Sequence, residues 1–207
     1  MTEEIVQDGV VKEYYESGEL LSECTYILGK KEGTRKEYYE GGSIELIENY
    51  IDDKLNGVRE YYYENGNISW RENYIDDKFD GICEEYYENG NISWRENYID
   101  DKLNGMSKEY YENGNISSRD NYIDDKLDGM SKDYYENGSI KLEKTYILGE
   151  LNGPFIEYYE DGRIKKEENY TNNELDRSLG DKVSGIIKRI LLILILGGIA
   201  FFSGIFE

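Results

Sequence analysis

The residue types that perform most enzyme chemistry are scarce in this sequence. It contains no histidine and only two cysteines, Cys24 and Cys83, which stand apart rather than in a Cys-x-x-Cys pair. A histidine-based nucleophile pair and a histidine-ligated metal site are therefore excluded. Carboxylates are abundant, but they recur at the same positions of successive segments. A catalytic site needs instead one enclosed group of residues that differs from the rest of the chain. We predict a protein that is not an enzyme and that has no cofactor.

Aromatic side chains offer another kind of chemistry, noncovalent recognition. Trp70 and Trp94 are the two tryptophans, and they lie 24 residues apart. A patch of large aromatic rings on an open surface is a candidate for partner binding. The alternative is packing within a sheet, and the sequence leaves both open. The candidate partner-binding face comprises Tyr61, Tyr63, Trp70, Tyr74, Tyr87, Trp94 and Tyr98.

Paired aspartates raise the question of a cation site. The segment Asp124–Gly129 begins like an EF-hand loop, but Lys126 holds the third liganding position and no glutamate closes a twelve-residue loop. A solvated acidic edge is the favoured interpretation, and we predict no metal site. A ribbon stabilised by loosely bound cations remains an alternative function.

The charge balance restricts the classes of partner. Aspartate and glutamate number 45 against 24 lysines and arginines, which gives a net charge of −21. Such a surface repels phosphate backbones and anionic lipid headgroups, so we predict no nucleic-acid binding. A basic protein is the favoured partner. Solubility of an extended sheet is the alternative explanation for the charge.

The sequence is built from seven copies of a 24-residue unit. One glycine recurs every 24 residues from Gly9 to Gly153, and a second recurs from Gly18 to Gly162. Tyrosine pairs follow the same period from Tyr14-Tyr15 to Tyr158-Tyr159. Such a fixed period indicates a repeat architecture in which each unit packs on its neighbours.

Each unit predicts a β-hairpin. Glu-Asn-Gly between two β-rich runs is typical of a two-residue type I′ turn at Asn-Gly. The second connection, Asp-Asp-Lys-Leu followed by Asn or Asp and Gly, is also rich in turn formers. Leu28-Gly29 and Leu148-Gly149 replace Asp-Asp in two copies, which indicates a position that requires positive φ.

A two-residue Asn-Gly loop fixes the register of each hairpin. In the third copy it pairs Tyr61 with Trp70 and Arg59 with Glu72, and in the second it pairs Arg35 with Glu48. Many such pairs carry complementary charges, although Lys108 facing Arg119 is an exception.

The same register predicts an aromatic ladder on one face. It places the second tyrosine of each pair opposite a leucine or isoleucine, as in Tyr63 with Ile68. Continued through the second turn, it places Tyr26 opposite Gly33 and Tyr50 opposite Gly57, where a ring would shield the glycine backbone.

The fold class that follows is an all-β repeat. We predict an elongated, twisted, single-layer antiparallel β-meander of about fourteen strands, roughly 65 Å long, plus one C-terminal transmembrane-type helix. The expected divisions are an N-terminal lead-in at 1–7, the repeats at 8–173, a linker at 174–189 and the apolar helix at 190–206.

The repeated unit, G-x-x-x-x-YY-x-x-G-x-I/L followed by Y-I-x-x-x-L-x-G, resembles the bacterial variant of the MORN repeat (membrane occupation and recognition nexus). The resemblance covers residues 8–173. It implies a twisted β-meander that acts as a binding or scaffolding module. Many bacterial members are labelled antitoxin or immunity proteins. Tyrosine stands here where the best-known MORN unit has tryptophan, and a lipid-binding role fits poorly with the acidic surface.

The C-terminal segment differs from the repeats. Ile190–Phe206 gives 17 uncharged, mostly apolar residues, about 26 Å of helix against a bilayer core of roughly 30 Å. Lys188 and Arg189 flank it and could snorkel. We predict a tail anchor, the alternatives being a helix that caps the last repeat and an interfacial helix.

The expected location and function follow from these features. Basic residues before the span keep the repeats on the cytoplasmic side of a membrane, which also suits two unpaired cysteines and an acidic N-terminus without a signal sequence. We expect a membrane-tethered scaffold that binds a protein partner. An antitoxin or immunity protein that neutralises a basic toxin is the alternative. The sequence does not define an oligomeric state.

Overall fold

The computed structural model describes residues 8–177, and these form one antiparallel sheet of nineteen strands. Successive strands pair with their neighbours along the chain, as a meander requires. The strands are β1 (Gly9–Tyr14), β2 (Leu20–Ile27), β3 (Lys30–Tyr38), β4 (Ile44–Ile51), β5 (Lys54–Leu55), β6 (Gly57–Tyr62), β7 (Ile68–Ile75), β8 (Lys78–Phe79), β9 (Gly81–Tyr86), β10 (Ile92–Ile99), β11 (Lys102–Leu103), β12 (Gly105–Tyr110), β13 (Ile116–Ile123), β14 (Lys126–Leu127), β15 (Gly129–Tyr134), β16 (Ile140–Ile147), β17 (Glu150–Tyr158), β18 (Ile164–Thr171) and β19 (Glu174–Leu175).

The strand count exceeds the predicted fourteen because four long strands are interrupted and β19 begins an eighth unit. The interruption between β5 and β6 lies at Asn56, whose N–H donates to the Asn49 carbonyl at 2.8 Å. Gly57 follows with a φ of 107°, a conformation that glycine adopts without a Cβ penalty. The extra residues form a bulge, and the chain continues in the same sheet.

The Glu-Asn-Gly turn differs from the predicted type I′ turn. In the third repeat the Tyr63 carbonyl accepts from Gly66 N–H at 2.9 Å, and Tyr63 N–H donates to the Asn67 carbonyl at 2.8 Å. The loop therefore contains three residues, and of these Gly66 has a positive φ, 86°, while Asn65 does not. A three-residue loop that ends in a left-handed glycine is the next commonest hairpin after the two-residue types.

The longer loop shifts the register close to the turn. The first tyrosine of each pair, not the second, lies opposite the isoleucine or leucine, as in Tyr62 with Ile68 and Tyr14 with Leu20. A bulge at Ser69 then restores the predicted register, so Tyr61 faces Trp70 and Arg59 faces Glu72. The predicted aromatic ladder is wrong in this respect. The isoleucines share a face with the first tyrosines. The seven predicted pairs corrected in this way are Tyr15/Leu20, Tyr39/Ile44, Tyr63/Ile68, Tyr87/Ile92, Tyr111/Ile116, Tyr135/Ile140 and Tyr159/Ile164.

The second connection is the type I′-like turn. Asp52 and Asp53 both have positive φ, at 52° and 70°, and Tyr50 pairs with Leu55 across them. The positive φ predicted at the Leu-Gly positions is confirmed, with Gly29 at 76° and Gly149 at 89°. The predicted contact of Tyr50 with Gly57 is wrong, because Tyr50 faces Leu55 and the glycine of its own repeat, Gly33. Tyr26 likewise faces Lys31 rather than Gly33.

Two hydrogen-bond ladders join neighbouring repeats. In the first, the second tyrosine of each of the first six pairs donates its hydroxyl to a carbonyl of the next repeat, as from Tyr63 to Tyr86 at 2.6 Å. In the second, the second aspartate of a turn accepts a backbone N–H from the preceding repeat, as Asp77 Oδ1 does from Leu55 at 2.7 Å. Nearest-neighbour contacts of this kind give a repeat protein its stability.

The sheet has two faces, and within residues 8–177 no second layer covers either. We call the face that carries Tyr61, Trp70 and Trp94 the tryptophan face, and the side that carries Tyr62 and Arg71 the opposite face. The buried apolar side chains of the described residues are few, namely Cys24, Leu46, Tyr74 and Cys83.

The predicted apolar helix at 190–206, with Lys188 and Arg189, lies outside the described residues. Among residues 8–177 there is no helix with the length and apolar character needed to cross a membrane.

Candidate functional site

The two tryptophans meet at the centre of the tryptophan face. Trp70 on β7 and Trp94 on β10 both pair with Glu85 on the intervening strand β9. Their rings stack over this strand with centroids 5.3 Å apart and planes 24° from parallel. Tyr61 lies directly opposite Trp70 on the other side. The sequence-predicted neighbours are therefore brought together, in the arrangement that aromatic pairs prefer.

A network of carboxylates and cations holds this cluster. The indole Nε1 of Trp70 donates to Glu72 at 2.7 Å, and the Tyr74 hydroxyl donates to the other oxygen of Glu72 at 3.0 Å. The Arg59 guanidinium lies 4.7 Å from the centroid of the Tyr61 ring and 2.9 Å from the Glu48 carboxylate. The two hydrogen bonds to Glu72 fix the orientation of the Trp70 and Tyr74 rings.

A second aromatic group lies on the same face beside the Asp-Asp turns. Phe79 packs between Tyr74 and Tyr98, with centroid distances of 4.7 and 5.4 Å. Sequence reasoning included both tyrosines but missed Phe79. The sequence does indicate an apolar side chain at this position, because the equivalent residue is leucine in other repeats, as at Leu55 and Leu103.

The predicted site residues Tyr63 and Tyr87 each make a hydrogen bond to the next repeat, and they also line a groove. Their hydroxyls donate at 2.6 Å to the carbonyls of Tyr86 and Tyr110 in the next repeats. The groove beside Trp94 measures about 540 Å³, and we call it the Trp94 groove. Its walls include Tyr63, Glu85, Tyr87, Ser93, Trp94, Glu109 and Tyr111.

The ionisable groups of this face favour binding over covalent chemistry. Burial is the largest cause that raises the pKa of Tyr61, Tyr74 and Tyr98, so their hydroxyls are neutral donors at physiological pH. Burial likewise raises the pKa of the Cys83 thiol to about 11. Since the thiolate is the reactive form, this buried thiol is a poor nucleophile at neutral pH. Within residues 8–177 no three histidine, cysteine, aspartate or glutamate side chains are grouped to hold a metal ion.

The comparisons with known proteins agree with this architecture. The family model of the MORN repeat variant matches the chain seven times, at residues 7–27, 31–52, 55–76, 79–100, 103–124, 127–147 and 151–172. The chain belongs to the MORN repeat variant family. A search of curated proteins found no match.

MORN repeats are generally elements that bind proteins or membranes, and the family is a structural or binding repeat rather than a known enzyme family. The tryptophan face is consistent with such a role. It offers stacked rings, ordered hydroxyl donors and carboxylates on an open sheet, the kinds of group that recognise another polypeptide.

Proposed function

We propose that this MORN protein is a scaffold without catalytic activity that binds a protein partner through the tryptophan face. The observation that carries the proposal is the stack of Trp70 on Trp94, 5.3 Å between centroids, on a sheet face that no second layer covers within residues 8–177. Both tryptophans are only half-buried. Tryptophan and tyrosine supply much of the binding energy at protein interfaces, where neighbouring side chains exclude water around them.

The uniformity of the repeats strengthens this argument. The positions of Trp70 and Trp94 hold Ser22, Leu46, Ser118, Leu142 and Lys166 in the other repeats. The sheet forms at every one of these positions, so tryptophan is not needed to build it. The two rings therefore make the centre of the chain different from its ends, as a binding surface requires.

The test is capture of the partner by full-length protein and by two variants. Trp70→Ala with Trp94→Ala removes the rings and should abolish capture from crosslinked native membranes. Trp70→Phe with Trp94→Phe keeps aromatic surface and should retain most of it. Thermal unfolding of each variant measures whether the repeats remain folded. Undiminished capture by the folded alanine variant would contradict the proposal.

We also propose that the C-terminal segment tethers this scaffold to the cytoplasmic side of a membrane. The support is its sequence, 17 uncharged and mostly apolar residues at Ile190–Phe206 preceded by Lys188 and Arg189. Deletion of residues 190–206 should move the protein from the membrane fraction to the soluble fraction. Full-length protein that washes off membranes in alkaline carbonate would show that the segment is not an anchor.

A further inference from the structure

The repeats differ along one row of side chains on the tryptophan face in whether a cation lies against it. The residue before each tyrosine pair is acidic in six repeats. In three of them a cation of the same chain lies against it, Arg35 against Glu37, Lys144 against Asp133 and Lys165 against Glu157. These contacts show that this position of the unit accommodates a guanidinium or an ammonium group.

The equivalent carboxylates of the first, fourth and fifth repeats have no such cation among the described residues, and Glu13 of the first repeat accepts the Ser22 hydroxyl at 2.9 Å. The Glu85 carboxylate accepts the hydroxyl of Ser93 at 3.0 Å, and the Glu109 carboxylate has no hydrogen-bond or ion-pair partner in the part of the chain that the structure describes. Both carboxylates pair directly with Trp94, one from β9 and the other from β12. Trp94 therefore lies on the central strand between Glu85 and Glu109, whose carboxylates no cation of the described chain neutralises.

The third repeat shows how a cation would lie on this face. There the Arg59 guanidinium is 4.7 Å from the centroid of the Tyr61 ring while it pairs with Glu48. A guanidinium stacks on aromatic faces and binds carboxylates through a planar set of donors, and tryptophan is the best aromatic partner for a cation. Trp94 with Glu85 and Glu109 offers the same two kinds of contact.

We propose that the Trp94 groove binds an arginine side chain of an extended partner segment. The groove, about 540 Å³, holds the ring, both carboxylates and the Tyr87 ring within one open depression. The arginine stacks on Trp94 and donates to Glu85 and Glu109. This inference rests on the proposed function, because it specifies the chemistry of the partner at the same face.

The experiment uses the full-length chain and tryptophan fluorescence. Trp70 and Trp94 are the two tryptophans of the sequence, so a Trp70→Phe background reports on Trp94 alone. The probe is the peptide acetyl-Gly-Arg-Gly-Arg-Gly-amide, titrated at physiological ionic strength. Its matched control replaces arginine by citrulline, which has nearly the same shape without the charge. We expect a saturable change with the arginine peptide and an affinity at least about tenfold lower with citrulline.

Two double variants separate the groove from the general negative charge of the protein. Glu85→Gln with Glu109→Gln should weaken the arginine peptide about tenfold or more. Glu16→Gln with Glu136→Gln removes the same charge at exposed turn positions of other repeats and should change the affinity less than about twofold. Equal weakening by the two double variants, or equal binding of the citrulline peptide, would overturn the inference. The citrulline comparison needs no substitution in the groove, so it decides the matter even if a variant fails to fold.

The outcomes also distinguish this inference from the proposed function. A partner lost by Trp70→Ala with Trp94→Ala but retained by Glu85→Gln with Glu109→Gln would support protein binding and refute the arginine site. If the chain binds the arginine peptide specifically but its capture of partners does not depend on the tryptophans, the arginine site is supported and the proposed function is refuted.

Discussion

At the scale of the residue, the paired aspartates of the turns act on the backbone of a neighbouring repeat. Asp77 accepts the Leu55 N–H at 2.7 Å and donates its own N–H to the Leu55 carbonyl at 3.0 Å. In the seventh repeat Asn173 makes the same pair of bonds with Leu151. An oxygen acceptor at this position is therefore what the structure uses, and a negative charge is not required.

A set of substitutions at one turn tests this role. Asp76 and Asp77 both have positive φ, so glycine relieves the backbone equally at either position. Asp77→Gly loses the bond to Leu55 and should lower the free energy of unfolding by about 1 kcal/mol relative to Asp76→Gly. Asp77→Asn should be close to the parent protein. Urea unfolding measures the three variants, and equal stability of the two glycine variants would refute the role.

At the scale of the element, the tyrosine ladder connects each hairpin to the next. The Tyr87 hydroxyl donates to the Tyr110 carbonyl at 2.6 Å. Tyr159 of the seventh repeat has no such acceptor among the described residues, and it is 47 % exposed. The seventh repeat thus provides an internal control for the ladder.

Removal of one hydroxyl measures the strength of that connection. Tyr87→Phe should lower the free energy of unfolding by about 1 kcal/mol, because the half-buried carbonyl of Tyr110 loses its donor. Tyr159→Phe should change it by less than about 0.5 kcal/mol, since an exposed hydroxyl remains solvated. Thermal or urea unfolding compares the two, and a loss of similar size in both would show that the ladder contributes nothing.

The hairpin also shows what sequence could and could not predict. Pairs from Tyr61/Trp70 outward were predicted correctly, because Arg59 and Glu72 mark the register by their charges. The shift near the turn was missed because the three-residue loop moves the register by one residue and the bulge at Ser69 moves it back by one. Their combined effect on the outer pairs is nil, so the charges could not reveal them.

The geometry of the candidate site was predicted in the same partial way. Trp70 and Trp94 were placed together because one hairpin position recurs every 24 residues. The predicted register places Glu85 and Glu109 opposite Trp94, as the structure does, but both carboxylates were missed because the candidate face was defined by its aromatic residues alone. Phe79 was missed because the repeat pattern was treated as uniform at that position.

At the scale of the whole molecule, the many tyrosines make stability sensitive to alkali. Burial, and then the hydrogen bonds to Glu60 and Glu84, raise the pKa of Tyr62 and Tyr86 to about 12, against about 10 in an unfolded chain. A raised pKa in the folded state contributes stability below the unfolded value, and this is lost as the pH rises towards 12. The melting temperature should therefore fall between about pH 10 and pH 12, more steeply than in Tyr62→Phe with Tyr86→Phe. An unchanged melting temperature over this range would contradict the argument.

The periodicity predicts that whole units can be removed. Deletion of residues 115–138 takes out 24 residues and joins Gly114 to Ser139, so both ladders continue in register. We expect a β-type circular dichroism spectrum and a melting temperature lower by only a few degrees. Deletion of residues 116–138 removes one residue fewer and places side chains on the wrong face, so it should not fold cooperatively. Similar behaviour of the two deletions would refute the in-register sheet.

One turn interrupts the aspartate ladder. Gly149 stands where four other repeats have the second aspartate, so it donates to the Leu127 carbonyl at 2.7 Å but has no carboxylate to accept the Leu127 N–H. The turn between the fifth and sixth repeats therefore lacks the bond to the Leu127 N–H, although Leu148 N–H donates to Asp128 there at 2.9 Å. The sheet should open first at this turn, so amide hydrogen exchange should be faster at Leu127 than at Leu55 or Leu103. A protease that acts on the partly opened chain should produce a long N-terminal fragment and a short C-terminal one.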